Sequence, residues 1–127
     1  MEISVPLAVG ELVDKITILE IKAARIADAA KRANIARELE LLGKSAANLP
    51  WNMQLSALKA ALKNVNERIW EIEDRVRDCE RAKNFGADFV ALARSVYQTN
   101  DERAALKREI NLATGSTLIE EKSYQPY

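Results

Sequence analysis

Apolar residues recur at alternating steps of three and four positions between Leu55 and Cys79. This spacing keeps side chains on one stripe of a helix with about 3.6 residues per turn, and it is typical of a helix buried along one seam. The stripe consists of Leu55, Leu58, Leu62, Val65, Ile69, Ile72, Val76 and Cys79. The pattern predicts a long central helix over about residues 52–83, roughly 45 Å long at about 1.5 Å per residue.

The first of three further segments with this spacing begins near Val9 or Gly10. Glu11 and Asp14 lie in its first turn, where the helix dipole favours negative charge. The main apolar stripe of this segment comprises Leu12, Ile16, Leu19, Ala23 and Ile26. Further apolar residues lie outside that stripe, namely Val13, Ile18 and Ile21. We therefore expect this helix to be covered on more than one side.

A second helix follows a turn predicted over residues 28–34, where the apolar spacing weakens. Either Asp28 or Asn34 can cap the helix, since both side chains accept hydrogen bonds from free backbone N–H groups. The helix is predicted to run from Ile35 and to end before Pro50, because proline disfavours helical backbone in the residue that precedes it.

Polar residues interrupt the apolar stripe of the last helix, which is predicted from Phe89 to Ala113. Thr99 and Arg103 occupy stripe positions, and an Asn-Asp pair follows Thr99 directly. One interpretation is a kink or a fresh helix start, because Asn and Asp are good capping residues. The other is a buried polar cluster in which Arg103 must find a carboxylate, since an unpaired buried guanidinium is strongly unfavourable.

These segments predict a single all-α domain over residues 1–127, an antiparallel bundle of four or five helices joined by short turns. Residues 1–8 are predicted as an extended N-terminal arm. Gly115 is the predicted C-cap of the last helix. Residues 116–127 are predicted as an extended C-terminal tail, which either docks on the bundle or remains free to contact a partner.

Composition narrows the classes of function. Nineteen basic and nineteen acidic residues cancel and are interleaved along the chain, so we expect no nucleic-acid partner. The sequence has no histidine, the commonest general base and transition-metal ligand. Its one cysteine, Cys79, lies on an apolar stripe and cannot form an internal disulfide, which favours a reducing compartment. With no secretory pattern and no apolar run of membrane-spanning length, we expect a cytoplasmic protein without membrane contact.

Two pairs of carboxylates each lie on one face of a helix: Glu11-x-x-Asp14 and Glu71-x-x-Asp74. Carboxylates are ligands of divalent metal ions, so each pair is a candidate for part of a metal site. Such a site needs acidic elements that converge. The acidic residues around Glu71 alternate with arginines on the side opposite the apolar stripe, so a charged outer surface is the simpler interpretation. We expect neither a metal ion nor a cofactor.

Three groups of polar residues are candidates for a ligand or partner site. The group around Trp70 lies on a flank of the third helix outside the seam, where packing under another element is the favoured interpretation. The group on the first helix is interpreted as a solvated face with local ion pairs, and the third group surrounds Arg103. The candidate residues are Asn66, Trp70, Glu73, Arg77, Asn100, Arg103, Lys107, Asn111, Lys15 and Glu11, together with Glu120, Glu121, Lys122, Ser123 and Tyr124 in the tail.

Several blocks of the sequence together resemble a small uncharacterised bacterial family, classed as a domain of unknown function. The blocks are Val9 to Lys22 (containing GELVDKITILEIK), Asn66 to Arg77, Thr99 to Asn111 (TNDERAALKREIN) and Glu120 to Tyr124 (EEKSY). The resemblance spans almost the whole chain and implies a stand-alone helical protein of the bacterial cytoplasm. It carries over no activity and no catalytic residue.

Two hypotheses of function follow. The first is a non-catalytic interaction or scaffold module that engages a partner protein through a helical face or the tail, and we also expect a homodimer. The alternative is a ligand-binding or enzymatic bundle that recognises a small anion through Arg, Lys, Asn and Glu on facing helices. Convergence of Glu73, Arg77, Arg103 and Lys107 in one concave site would favour the alternative.

Overall fold

The computed structural model describes residues 1–127 and contains four α-helices and no β-strand. The helices are α1 (Val9–Arg25), α2 (Ala29–Ala46), α3 (Met53–Arg81) and α4 (Ala87–Thr114). The prediction of an all-α chain is therefore confirmed. None of the four helices combines the length and apolar character that crossing a lipid bilayer requires.

Helix α1 lies at the centre of the helix packing, because it contacts α2, α3 and α4. Buried residues lie on several of its sides, in agreement with the apolar residues outside its main stripe, and these are Gly10, Val13, Asp14, Ile16, Thr17, Leu19 and Ile21. Helix α3 is the longest at 29 residues, and it contacts α1 and α4 but not α2. Helix α3 is thus the longest helix, whereas α1, which is apolar on more than one face, has the most helix neighbours.

Helix α2 begins at Ala29, earlier than the predicted start at Ile35. The apolar spacing weakens over residues 29–34 because this part of the helix is solvent-exposed, not because the helix is interrupted. Asp28 caps the helix, and its carboxylate accepts a hydrogen bond from the backbone N–H of Lys31 at 3.0 Å. The helix packs on α1 alone among the helices.

Helix α4 is one continuous helix through Asn100 and Asp101, so the fresh helix start considered there is absent. Gly115 ends the helix at φ +66°, a left-handed conformation that glycine adopts without steric cost. The backbone N–H of Ser116 then donates to the carbonyl of Asn111 at 2.9 Å. This C-cap sends the following residues away from the α4 axis.

The interior contains both apolar and polar residues. Val13, Leu55, Leu62 and Ile110 form the apolar core where α1, α3 and α4 meet. Nineteen residues are buried, and six of them are polar or charged: Asp14, Thr17, Asn66, Thr99, Lys107 and Asn111. Because polar groups are buried at a large cost unless they are hydrogen-bonded, the partners of these six residues determine where a site can form.

Gly10 allows α1 to approach α4 closely. A Cβ atom at this position would lie far inside van der Waals contact with the backbone carbonyl oxygen of Lys107. The backbone N–H of Gly10 also donates to the side-chain oxygen of Asn111 at 2.6 Å. The first turn of α1 is therefore fixed against the last turns of α4 by backbone contact and by one buried hydrogen bond.

We predict that Gly10→Ala destabilises the protein by about 2 kcal/mol or more, because a methyl group cannot enter this contact without moving one backbone away from the other. Gly43→Ala is the matched control, since nothing lies within 4 Å of the added Cβ in α2. That control should stabilise the protein by about 0.5–1 kcal/mol through helix propensity. Urea unfolding followed by circular dichroism measures both values, and equal effects of the two changes would contradict the predicted close contact.

Candidate functional site

A buried carboxylate lies at the centre of the polar cluster. The Asp14 side chain is fully buried, although the sequence pattern placed this residue on a solvated face. Its Oδ1 atom accepts hydrogen bonds from Arg103 Nε and from Asn66 Nδ2, each at 2.9 Å, and Oδ2 pairs with the Nη2 atom of Arg103. One carboxylate on α1 therefore joins α3 and α4.

Thr17 and Asn66 complete the hydrogen bonding around this carboxylate. The side-chain amide of Asn66 also donates to Thr17 Oγ1 at 2.9 Å, and that hydroxyl donates to the backbone carbonyl of Asp14 at 2.8 Å. No buried side-chain nitrogen or oxygen in the chain lacks a hydrogen-bond partner. Fully satisfied polar networks of this kind hold their members in one arrangement.

Arg103 is held on one edge by Asp14 and is also a lining residue of the neighbouring groove. The hydrogen bonds to Asp14 raise the pKa of Arg103 above its ordinary value, against the opposing effect of desolvation. The side chain is 28% exposed. A guanidinium anchored along one edge presents its remaining N–H groups in a fixed direction, which is how arginine recognises planar anions.

Lys107 forms a second ion-pair cluster on α4. Its Nζ atom contacts Glu11 Oε2 at 2.6 Å and Glu120 Oε2 at 3.1 Å. Burial alone would lower the pKa of Lys107, but the hydrogen bonds that Lys107 donates to the two carboxylates outweigh this effect and raise the pKa. Glu120 also contacts Lys122 at 2.9 Å, and hydrogen bonds from Lys122 and Lys107 lower its pKa. Both shifts favour the charged forms of Lys107 and Glu120.

The C-terminal tail lies along α4. Glu121 pairs with Arg108 at 3.1 Å, and the hydroxyl of Tyr127 donates to Asp101 at 2.5 Å. The ring of Tyr127 contacts that of Tyr97 edge to face, with centroids 5.1 Å apart. Together with the Glu120 contacts, these interactions place the first part of the tail beside Lys107 and Arg108 and its end beside Asp101, in an earlier turn of α4.

An open groove of about 1050 Å³ lies between α4 and the tail. Its wall combines cationic and aromatic side chains, among them Tyr97, Arg103, Lys107, Lys122, Tyr124 and Tyr127. A smaller cavity of about 280 Å³ adjoins it, shares Lys107 and Lys122 with it, and is lined by Glu120 and Glu121. Glu120 thus bridges the two lysines where the groove and the smaller cavity meet.

Part of the predicted residue set meets at this location. Arg103, Lys107 and Asn100 line the groove. Behind the groove, Asn66 donates a hydrogen bond to Asp14, and Glu11 accepts one from Lys107. Asn111 fixes α1 beside them through its bond to Gly10. In the tail, Glu120, Glu121, Lys122 and Tyr124 lie against α4, whereas Ser123 is exposed without a hydrogen-bond partner.

Other predicted residues lie apart from the groove. Glu73 and Arg77 pair with each other on the exposed surface of α3, and the guanidinium of Arg25 lies 5.8 Å from the centre of the Trp70 ring. Lys15 is exposed. Convergence of Glu73, Arg77, Arg103 and Lys107 was expected to favour a ligand site. Only Arg103 and Lys107 share one concave surface.

Sequence reasoning missed Asp14 and Thr17 as members of the site. One signal was present: α1 carries apolar residues on more than one side, so a polar residue between them has little exposed surface to occupy. No signal in the sequence indicated that Tyr97 and Tyr127 would meet across the groove, because their contact depends on the path of the tail.

The arrangement favours electrostatic binding over proton transfer. A general acid or base works best with a pKa near the operating pH. Here the pKa of Lys107 is raised, that of Glu120 is lowered and that of Arg103 is raised, so each group is driven further into its charged form. No group of three or more Cys, Asp or Glu side chains is arranged to hold a metal ion.

Fold and site together define a four-helix protein in which a buried aspartate holds a partly exposed arginine on the wall of a cationic and aromatic groove. Residues 2–127 match a family described as "Family of unknown function (DUF6165)", and the chain belongs to that family. No curated protein and no solved structure matches the chain.

We predict that Asp14→Asn destabilises the protein by about 3 kcal/mol, because it leaves the half-buried guanidinium of Arg103 without its carboxylate. Glu73→Gln is the matched control, since it breaks an exposed pair within α3 and should cost less than about 1 kcal/mol. Urea unfolding of the purified variants measures both. If the two changes have the same small effect, the Asp14–Arg103 pair is not a structural centre of the fold.

Proposed function

We propose that this protein is a non-catalytic binding module whose groove between α4 and the tail holds a small anion bearing an aromatic group. The observation that carries the proposal is that two cations line the same concave surface, Arg103 supported from behind by the buried Asp14 and Lys107 by the partly buried Glu11. The proposal combines the two sequence-based hypotheses. It takes the absence of catalysis from the interaction module and the small anionic ligand from the ligand-binding bundle.

The buried hydrogen bonds support binding rather than stability alone. Replacing a buried ion pair with apolar side chains is often neutral or stabilising, so such a pair is weak evidence of a stability role. The Asp14–Arg103 pair does, however, fix the orientation of a guanidinium on the groove wall. A recognition group that is already ordered loses less conformational entropy when it binds a ligand.

The tyrosines support an aromatic ligand. Tyr97, Tyr124 and Tyr127 all line the groove, and Tyr124 and Tyr127 are largely exposed, at 77% and 79%. Exposed aromatic rings beside cationic groups provide stacking surface on one side and charge on the other. A ligand with a flat ring and one acidic group fits both features.

A thermal-shift screen of aromatic and aliphatic carboxylates, phosphates and nucleotides tests the proposal, with calorimetry to give the dissociation constant of any hit. A ligand at a hundred times its dissociation constant should stabilise the wild-type protein by about 2.7 kcal/mol. Arg103→Lys keeps a cation opposite Asp14 but loses the planar, forked geometry, so we expect affinity to fall by about tenfold or more. Tyr124→Ala should weaken binding by a few-fold, as expected from the loss of a contact of about 1 kcal/mol.

Arg77→Ala is the control for these variants, because Arg77 forms an exposed pair on α3 and does not line the groove. Binding should be unchanged in that variant. The proposal is wrong if no anion stabilises the wild-type protein at millimolar concentration, or if Arg77→Ala reduces affinity as much as Arg103→Lys does.

The N-terminal arm supports a second candidate function, association with another copy of this chain. Residues 1–7 form no backbone–backbone hydrogen bond, and Ile3 and Val5 are 81% and 65% exposed. We take the arm to be extended, as the sequence predicts. Alternate side chains of an extended segment share a face, which places Met1, Ile3, Val5 and Leu7 on one apolar surface. Pro6 lacks an N–H, so the backbone edge formed by the even-numbered residues is missing one hydrogen-bond donor. The edge formed by the odd-numbered residues keeps all of its N–H and C=O groups. Two such edges can pair antiparallel around a two-fold axis.

We predict that the wild-type protein dimerises at micromolar concentration and that the double variant Ile3→Asp/Val5→Asp is monomeric, because two carboxylates on the apolar face oppose its burial. Light scattering coupled to size-exclusion chromatography measures the mass. Ser4→Asp adds a charge to the opposite face and should leave the dimer intact. A monomeric wild-type protein, or a dimeric double variant, would remove this candidate.

A cytoplasmic location remains part of the proposal. Its support is the single unpaired thiol of Cys79, which is partly buried and stays reduced in that compartment.

A further inference from the structure

The carboxylate of Glu120 lies in the position that a ligand anion would need. It contacts Lys107 and Lys122, at 3.1 and 2.9 Å, where the groove and the adjoining cavity meet. Its negative charge also acts on Arg103. The chain itself therefore provides an anion to the cations of the groove.

Glu120 is the carboxylate of this cluster that can leave. Glu11 is part of α1 and Asp14 is fully buried within the bundle. Glu120 belongs to a tail without helix or strand, and its side chain is 38% exposed. The neighbouring tail contact, between Glu121 and Arg108, is exposed as well. The Glu120–Lys122 and Glu121–Arg108 pairs are partly or largely exposed and contribute little to stability, so only one ion pair with a mostly buried partner, that of Glu120 with Lys107, opposes the opening of this segment.

The charges that remain indicate the ligand class. Without Glu120, the ion-pair cluster keeps three cations (Arg103, Lys107 and Lys122) but only two carboxylates (Asp14 and Glu11). One positive charge of the cluster is then uncompensated. Asp101 also lines the groove, but it accepts a hydrogen bond from Tyr127 and pairs with none of these cations, and its charge opposes a second negative charge on the ligand. A monoanionic carboxylate restores neutrality, whereas a dianionic phosphate adds a further negative charge close to Glu11. Like charges at short range in a partly buried site are unfavourable.

We infer that Glu120 is a built-in competitor for the groove, and that the ligand is an aromatic monocarboxylate whose carboxylate replaces that of Glu120. The inference rests on the proposed function, since it takes the groove to be a binding site. It adds the ionic class of the ligand and a route of entry, in which the Glu120 side chain turns away while α4 keeps its place.

The test compares Glu120→Gln with Glu73→Gln in the chain of residues 1–127. The two changes remove the same charge, but only the first releases Lys107 and Lys122, because Glu73 forms an exposed pair on α3 that lines neither the groove nor the adjoining cavity. The probe is 4-hydroxyphenylacetate, with phenyl phosphate at pH 8 as the dianionic comparison, and calorimetry gives the dissociation constants. We expect Glu120→Gln to bind the carboxylate about tenfold more tightly than wild type, the change that a competing contact of about 1.4 kcal/mol produces. Glu73→Gln should bind as wild type does.

Two outcomes separate this inference from the proposed function. If wild type binds the carboxylate in an Arg103-dependent manner but Glu120→Gln and Glu73→Gln have equal affinities, the groove is a binding site and Glu120 is not its competitor. If Glu120→Gln prefers phenyl phosphate, the groove is a binding site but its ligand is not a monocarboxylate, and the inference is wrong. If neither wild type nor Glu120→Gln binds any anion of the screen, the proposed function and this inference both fail.

Discussion

The structure depends on the neutralisation of one buried carboxylate. Asp14 lies on the central helix, fully enclosed, and an isolated carboxylate there would be strongly unfavourable. Arg103 from α4 and Asn66 from α3 supply the compensating charge and hydrogen bonds. Because these partners lie on different helices, satisfying Asp14 also sets how α3 and α4 are positioned around α1. The hydrogen bonds of Asp14 therefore both hold Arg103 on the groove wall and fix the relative positions of the helices.

Much of the fold could be predicted from the sequence, because the apolar residues of a packed helix recur with the period of the helix. The apolar stripe of α3 and the residues outside the stripe of α1 indicated helix-on-helix packing and the multiple coverage of α1. The start of α2 could not be predicted in this way, since the exposed residues 29–34 carry no stripe to detect. Burial, rather than helix formation, is what the apolar spacing reports.

The site was predictable only in part. Arg103 stood out because it occupied an apolar position and needed a carboxylate, and the structure pairs it with Asp14. The identity of that partner could not be read from the sequence, because the pairing joins residues 89 positions apart and depends on the three-dimensional arrangement of α1 and α4. Trp70, Glu73 and Arg77 were grouped by spacing on one helix, but spacing alone does not show which face meets another element.

Helix α2 contacts α1 and no other helix, and it buries only Ile35 and Ala46. The Asp14 cluster and the groove, by contrast, draw all their side chains from α1, α3, α4 and the tail. The exposed side of α2 is therefore free to vary in sequence without altering a side chain of the anion-recognising surface.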